Sequence, residues 1–310
     1  MSIAKKKYEV LISDGLKFFV DPETGEAISA TGEVLYVQTE DERRKTKEFF
    51  NNKNKKDFEL SEINEQYKEY GNFVWNIYSI NQKSFPQLKP SNITRLMFLS
   101  TYITYDGYLM YNKKTTMNKS NMFDILRLSD REFRAFYKDM VDNSILYEKD
   151  DKIYINAELF GKGKLNKKYI TKFASQEKYI TRLYIDGVRS LYEKSTPRSH
   201  KTLSYLFQVL PYVNRQYNIV CFNPLEEHLE DIQGMSLGQF CETIGYSSHN
   251  STQLFKYLFE PQFIIDGQVK TAMRYVVDKS LAKETYSMYI NPRVYYAGNM
   301  WERVEVLGKF

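Results

Sequence analysis

Metal binding or nucleophilic chemistry in this 310-residue chain would first be sought at its three histidines, His200, His228 and His249, and its two cysteines, Cys221 and Cys241. Their spacing supports neither. Metal-assisted strand nicking needs a histidine pair beside a nucleophilic tyrosine, and tyrosine-based strand exchange needs an Arg, His, Arg and Tyr set; no two histidines here are spaced to share a metal. With 26 tyrosines in the chain, the nearness of one to a basic residue carries no information. The cysteines have neither metal-site nor redox-motif spacing and are read as buried small hydrophobes, kept as thiols in a reducing compartment. Gly161-Lys162-Gly163-Lys164 lacks the glycine spacing and the following Ser or Thr of a phosphate-cradling loop. Glu226-Glu227 and Glu230-Asp231 read as a solvated acidic loop. No catalytic residue, metal or cofactor is assigned, and the chain is expected not to be an enzyme.

Charge is the next signal. The chain carries 44 Lys and Arg against 39 Asp and Glu, a net charge of +5. Between Gly161 and Lys201 alone there are eleven basic and three acidic residues, a local surplus of +8. Such a field attracts phosphate polyanions, and Lys162, Lys164, Lys167 and Lys168 are its densest part. The competing explanation is a solvated linker and helix face. At 42% hydrophobic and 27% charged residues, the chain can bury a sizeable core in two or three domains. No apolar run reaches the roughly 20 residues of a membrane span, and the start, with Lys5-Lys6-Lys7, lacks a signal peptide's apolar core. A cytoplasmic protein without membrane contact is expected.

The elements that must carry these residues follow from periodicity and turn chemistry. Residues 1–40 read as a small β-hairpin module, with strands at Leu16–Val20 and Val34–Val37 around Asp21-Pro22 and Thr31-Gly32. Residues 41–70 are a charged linker or helix. Phe73–Tyr78 reads as a strand. A helix follows from an N-cap at Ser91, with apolar Leu96, Met97, Leu99, Tyr102 and Ile103, then a short strand at Tyr108–Tyr111. A second helix spans about Lys119 to Leu126. A third opens at Ser129-Asp130 and reaches about Asn143, with Phe133, Phe136 or Tyr137, Met140 and Val141 inward, and Arg131, Arg134 and Lys138 outward. Ile145–Glu148 and Ile153–Asn156 form a hairpin.

The same order recurs, and repetition is the strongest pattern in the chain. Lys201–Val213 parallels Thr94–Asp106, Asn218–Phe222 supplies the strand, Met235–Tyr246 parallels Lys119–Leu128, and a third helix runs from about Ser248 to Phe259. Hairpin strands are expected at Phe263–Ile265 and at either Tyr275–Val277 or Met288–Ile290, around Asp266-Gly267-Gln268. Met288–Gly298, "MYINPRVYYAG", echoes Ile153–Gly163, "IYINAELFGKG". Tyr179 to Tyr192 keep helical spacing and are expected as a core-facing stripe. The predicted class is α+β, mainly helical: a winged helix-turn-helix unit at 71–163, a basic connecting helix at 164–197, a second unit at 198–300 and a tail at 301–310.

The segments "ITRLMFLSTYITYDGYL" from Ile93, "LRLSDREFRAFYKDMVDNSIL" from Leu126 and the closing "MYINPRVYYAG" resemble the replication initiators and MarR-like regulators carried by plasmids and phages of low-GC Gram-positive bacteria. The resemblance covers about 93–163 and, more weakly, 200–298. It implies duplex DNA binding with each third helix in the major groove, acting in replication initiation, transcriptional control or inhibition of a host system. The DNA-facing residues are then Arg131, Arg134 and Lys138 in the first unit and Ser248, Asn250, Gln253 and Lys256 in the second. Arginine pairs with guanine, Asn or Gln with adenine, and lysine with phosphate. Asp130 and Glu132 oppose this, because carboxylates at a helix start favour its dipole but repel phosphate. The rival reading is a winged-helix module that docks on a host protein or on itself as a homodimer.

Overall fold

A computed structural model describes residues 9–13, 16–20, 27–29, 34–36, 44, 71–79, 85–163, 172–173, 175–278, 285–298, 301–308 and 310. The chain divides into two compact units, Met1–Gln66 and Tyr67–Phe310. In the first, strands β1 (Glu9–Ser13), β2 (Leu16–Val20), β3 (Ala27–Ser29) and β4 (Val34–Tyr36) form a four-stranded antiparallel sheet in chain order. The expected strand at 16–20 is present and that at 34–37 is present as Val34–Tyr36, and β1 and β3 are additions. Apart from Arg44, the expected linker up to residue 70 lies outside the described residues.

The second unit is built around an antiparallel sheet in the order β14 (Tyr295–Tyr296), β9 (Lys178–Tyr184), β5 (Phe73–Ser79), β8 (Phe160–Gly161). This corrects the connecting helix expected at 164–197. After the helical residues Lys172, Phe173 and Ser175, its described part is a strand along which Tyr179, Ile180 and Thr181, residue types that suit a pleated sheet, pair with β5, followed by helix α4 (Ile185–Lys194). The stripe from Tyr179 to Tyr192 is thus half strand, although Leu183, Tyr184, Val188, Leu191 and Tyr192 are buried as expected.

From β5 the chain enters α1 (Pro90–Ser100), where Pro90 suits the first helical turn because its missing N–H would find no partner there anyway. The N-cap is Lys89, not Ser91, and the helix ends before Tyr102 and Ile103. Helix α2 (Lys119–Leu126) is capped reciprocally by Asn118 and Asn121. Helix α3 (Asp130–Asp142) is capped by Ser129 and Glu132, and its buried residues are Phe133, Phe136 and Met140. Val141, expected inside, is 44% exposed. Strands β6 (Leu146–Lys149) and β7 (Lys152–Ile155) form the hairpin, with Asp150 and Asp151 both at positive φ in its turn.

The second half repeats this order: α5 (His200–Gln208), α6 (Leu237–Ile244) with a Ser236/Gln239 capping box, and α7 (Ser251–Phe259). Its hairpins differ from expectation. Strand β10 (Gln262–Ile265) pairs with β11 (Gln268–Thr271) around Asp266-Gly267, whereas the two alternative partners, within β12 (Met273–Asp278) and β13 (Thr285–Ile290), pair with each other. The tight Asp-Gly turn closes on the nearest downstream strand, so β10–β11 is an extra hairpin that the first half lacks. Helix α8 (Trp301–Gly308) replaces the expected tail, and its Val304 is buried with Phe73, Tyr184 and Tyr296.

Hydrogen bonding fixes the repeat residue by residue. Leu109 N–H donates to Ile153 O as Val220 N–H donates to Met288 O, and Met117 N–H donates to Leu109 O as Met235 N–H donates to Val220 O. Asn156 N–H donates to Ile145 O as Asn291 N–H donates to Ala272 O. The Oδ1 of Asn156 accepts from Glu158 N–H, and that of Asn291 from Arg293 N–H, both at 2.9 Å. These pairs align β12–β13, not β10–β11, with β6–β7. Gly161 faces Trp75 as Tyr296 faces Arg182, and Trp75 itself pairs with Arg182. A local two-fold relating the repeats therefore passes through the Trp75–Arg182 pair, and α1 packs against α5 beside it.

One close approach holds α4 to the second repeat. A Cβ at Gly187 would fall inside van der Waals contact with the Arg293 carbonyl oxygen, a backbone atom that cannot swing away. Gly187→Ala is expected to lose about 2–3 kcal/mol through this overpacking. A urea midpoint unchanged from the parent would show that the α4 approach is not tight.

Candidate nucleic-acid interface

Helix α3 turns Arg131, Arg134 and Lys138 to solvent, as its apolar spacing requires. Arg134 is engaged along its own helix: Nη2 lies 2.5 Å from Asp130 Oδ2, and Nε donates to Oδ1 at 3.2 Å. Glu132 faces inward to the cap. Its carboxylate accepts from Ser129 Oγ at 2.9 Å and contacts Arg95 Nη2 at 3.3 Å. The Ser129 hydrogen bond, with help from Arg95, holds its pKa below the usual glutamate value. Glu132 is therefore spoken for, whereas Asp130 remains an exposed acid at the helix start.

In the second repeat Ser248, Asn250, Gln253 and Lys256 are all exposed. Ser248 to Asn250 form a 3-10 turn ahead of α7, which corrects the helix start from about Ser248 to Ser251. The Asn250 side chain makes no capping hydrogen bond. His249 is exposed on the same turn. Lys138 lies between buried Phe136 and Met140 as Lys256 lies between buried Leu254 and Leu258, so the two lysines hold the same place on equivalent helices.

The basic segment is less available than its charge implies. Lys164, Lys167 and Lys168 lie outside the described residues. Lys162 is half-buried with its ammonium 5.6 Å from the Tyr105 ring centre, and burial, followed by the nearby Arg189 charge, lowers its pKa. Arg182 is buried and donates to the carbonyls of Tyr296 and Gly298. Arg189 donates to Thr101 Oγ1 at 2.9 Å and to its carbonyl at 3.0 Å, with its guanidinium 4.0 Å from the Tyr102 ring centre. Lys172 and Lys178 both reach Glu158, at 2.5 and 3.5 Å. Five of the eight described basic residues, Lys162 included, thus serve internal contacts, leaving Lys194, Arg198 and Lys201 exposed. Net charge along a sequence cannot distinguish these cases, because the partners Glu158 and Thr101 lie outside the segment.

Comparison with known protein families, curated proteins and solved structures returns no match.

Sequence reasoning missed a buried polar junction behind α3. Arg95 donates from Nε to His200 Nδ1 at 3.3 Å, from Nη1 to Asn92 Oδ1 at 3.0 Å, and from Nη2 to Glu132. Asn92 Nδ2 donates to Asp139 Oδ2 at 2.6 Å. Thr94 Oγ1 donates to His200 O at 2.8 Å. Burial, and then the Arg95 charge, push the His200 pKa down to about 4, so the ring is neutral with its proton on Nε2. The available signal was an arginine within the apolar face of α1. Of the other histidines, His228 is exposed, and among the described residues no three His, Cys, Asp or Glu side chains gather to hold a metal ion. Both cysteines are buried as expected, and burial raises the Cys221 pKa to about 12. No described helix is long and apolar enough to cross a membrane.

Proposed function

We propose that the chain binds double-stranded DNA through two winged helix-turn-helix units in tandem, as a regulator of transcription or an initiator of replication, without catalysis of its own. The observation that carries this reading is the exposure of both third-helix segments at equivalent places in the repeat, Arg131 to Lys138 and Ser248 to Lys256. Each is long enough for a major groove, and each presents side chains that read base edges or phosphates. The local two-fold gives the two units opposite polarity, so their half-sites are inverted and, because the side chains differ, unequal in sequence. The second unit is the stronger base reader. It has Asn250 and Gln253 within Ser247–Phe259, a stretch that contains no Asp or Glu, whereas the first has Asp130 on its helix and Asp150-Asp151 at its hairpin tip.

Asp130, Asp150 and Asp151 favour a second reading, in which the first unit docks on a basic protein surface, of a host or of a second copy, and only the second unit meets DNA. Titration of random and element-derived duplexes at several salt concentrations separates the two. Duplex affinity is expected to fall linearly on a log–log salt plot. Replacing Lys138, Lys201 and Lys256 with Ala should reduce the slope by about 0.9 for each phosphate that is no longer neutralised. Absence of duplex binding at about 50 mM salt would leave only the docking reading.

A further inference from the structure

The outer face of the hairpin sheet is treated differently in the two repeats. In the second, the row across β12, β13 and the bridging strand is Arg274, Tyr289 and Ile219. Ile219 and Tyr289 are buried there together with Tyr217, beneath Leu229, Ile232, Leu307 and Phe310. The equivalent row of the first repeat, across β6, β7 and its bridging strand, is Tyr147, Tyr154 and Tyr108. Here the face is open: Tyr147 is 46% exposed, and Tyr154 and Tyr108 are half-buried. The Tyr147 and Tyr154 rings stack at 5.2 Å, and Tyr108 meets Tyr154 edge-on at 5.9 Å.

The next row along the same face is basic where its counterpart is not. Lys149 and Lys152 pair across the hairpin in the positions held by Val276 and Ser287 in the second repeat. The Lys152 ammonium sits 4.5 Å from the Tyr108 ring centre. The bridge from Met110 to Thr116 carries an exposed loop with Tyr111, Lys113 and Lys114 to the end of this sheet. Asp150 and Asp151 at the turn are the opposing charges, two against four lysines. Glu148, on the opposite face, is occupied by Lys119 and Tyr137.

We propose that this face of the first repeat binds single-stranded DNA, with unpaired bases stacked on Tyr147 and Tyr154 and the strand's phosphates held by Lys149, Lys152, Lys113 and Lys114. Tyrosines offer a flat π-face to any base, lysines neutralise the backbone, and a base inside a duplex has no free face to present. The apolar cover of the second repeat's face, Leu229, Ile232, Leu307 and Phe310, has no counterpart surface here, because Ile219 corresponds to Tyr108 and Val276 to Lys149. The choice of DNA over RNA rests on the duplex-binding reading of the adjoining α3; the stacking surface does not.

The test is fluorescence anisotropy of the full chain with a labelled run of about twenty thymidines, beside the matching uridine run and a duplex. The parent should bind the thymidine strand. Tyr147→Ala should bind it about fivefold to a hundredfold more weakly, Tyr147→Phe should bind like the parent, and neither should change duplex affinity. Lys149→Ser with Lys152→Ser should flatten the salt dependence by about 0.7 per phosphate released. The proposal is overturned if the thymidine strand does not bind, if only the uridine strand binds, or if the Phe and Ala variants weaken equally. It is also overturned if Tyr147→Ala alters self-association in light scattering and leaves oligonucleotide affinity intact. Tyr147-dependent binding of the thymidine strand without any duplex binding would defeat the function proposed above and leave this surface standing.

Discussion

Arg95→Ala is expected to cost about 3–5 kcal/mol of stability, the largest effect of any single polar substitution in the compact unit Tyr67–Phe310. The Arg95 side chain is 6% exposed and joins α1, α5 and α3 through His200, Asn92 and Glu132. Its removal leaves two buried acceptors, His200 Nδ1 and Asn92 Oδ1, without their donor, and opens a cavity beside the Tyr192 ring, which stacks on His200 at 4.5 Å. Glu132 is half-exposed and can turn to water, so it adds little. The junction also sets an acid limit. His200 takes its proton at pH 6.5 when unperturbed and at about 4 when folded. Between these values the unfolded chain binds the extra proton. Stability is therefore fully present above pH 6.5 and falls as pH drops towards 4, by at most about 3 kcal/mol. Glu132, Glu148 and Glu158, whose pKa values are lowered, lose their contributions only below the ordinary glutamate value of 4.5. Urea midpoints at pH 7 and pH 5 should differ in the parent and much less in His200→Gln. An equal acid response in both would remove His200 from the account.

The helical skeleton of the repeat was legible because its signals are local. Ser129 and Ser236 each stand three residues before a Glu or Gln, and Phe133, Phe136 and Met140 keep a helical period. The echo of Ile153–Gly163 in Met288–Gly298 was legible too, and equivalent hydrogen bonds at Asn156 and Asn291 account for it. What failed was non-local. Tyr179 to Tyr184 fit a helix or a strand equally well by apolar content, and their pairing with Phe73 to Ser79 is decided about a hundred residues away along the chain. The second hairpin failed for the opposite reason. An extra strand pair was inserted next to a strong turn, and nothing in the pattern said which of two later strands the core would claim. For the candidate site, exposure of Arg131, Arg134, Lys138, Gln253 and Lys256 followed from helical geometry, whereas Ser248 and Asn250 are exposed on the 3-10 turn that precedes α7. The fate of Arg182 and Arg189 did not, because it depends on carbonyls contributed by Gly298 and Thr101.

Simultaneous replacement of Asn250 and Gln253 by Ala is expected to lower the preference for a cognate duplex over random sequence by about thirtyfold or more. Each side chain can make a bidentate contact to adenine worth about 1–3 kcal/mol of discrimination, and both are exposed with no fold role to lose. Binding to random duplex should fall far less, since Lys256 and the other phosphate partners remain. Arg134→Ala should act at a separate position of the site, because the two repeats meet different half-sites, and its effect should be smaller. Arg134 must first leave Asp130, and the carboxylate then left near the phosphates opposes binding. The double substitution should leave the urea midpoint within about 0.5 kcal/mol of the parent, as neither side chain is buried. Footprinting of the variants on one duplex would show protection disappearing from one half-site for Asn250 and Gln253, and from the other for Arg134. The outcome that defeats the two-reader model is a folded triple variant, with Arg134, Asn250 and Gln253 all replaced by Ala, that retains the parent's preference for its site. Specificity would then lie outside both third-helix segments, and those exposed faces would be surfaces for a protein partner.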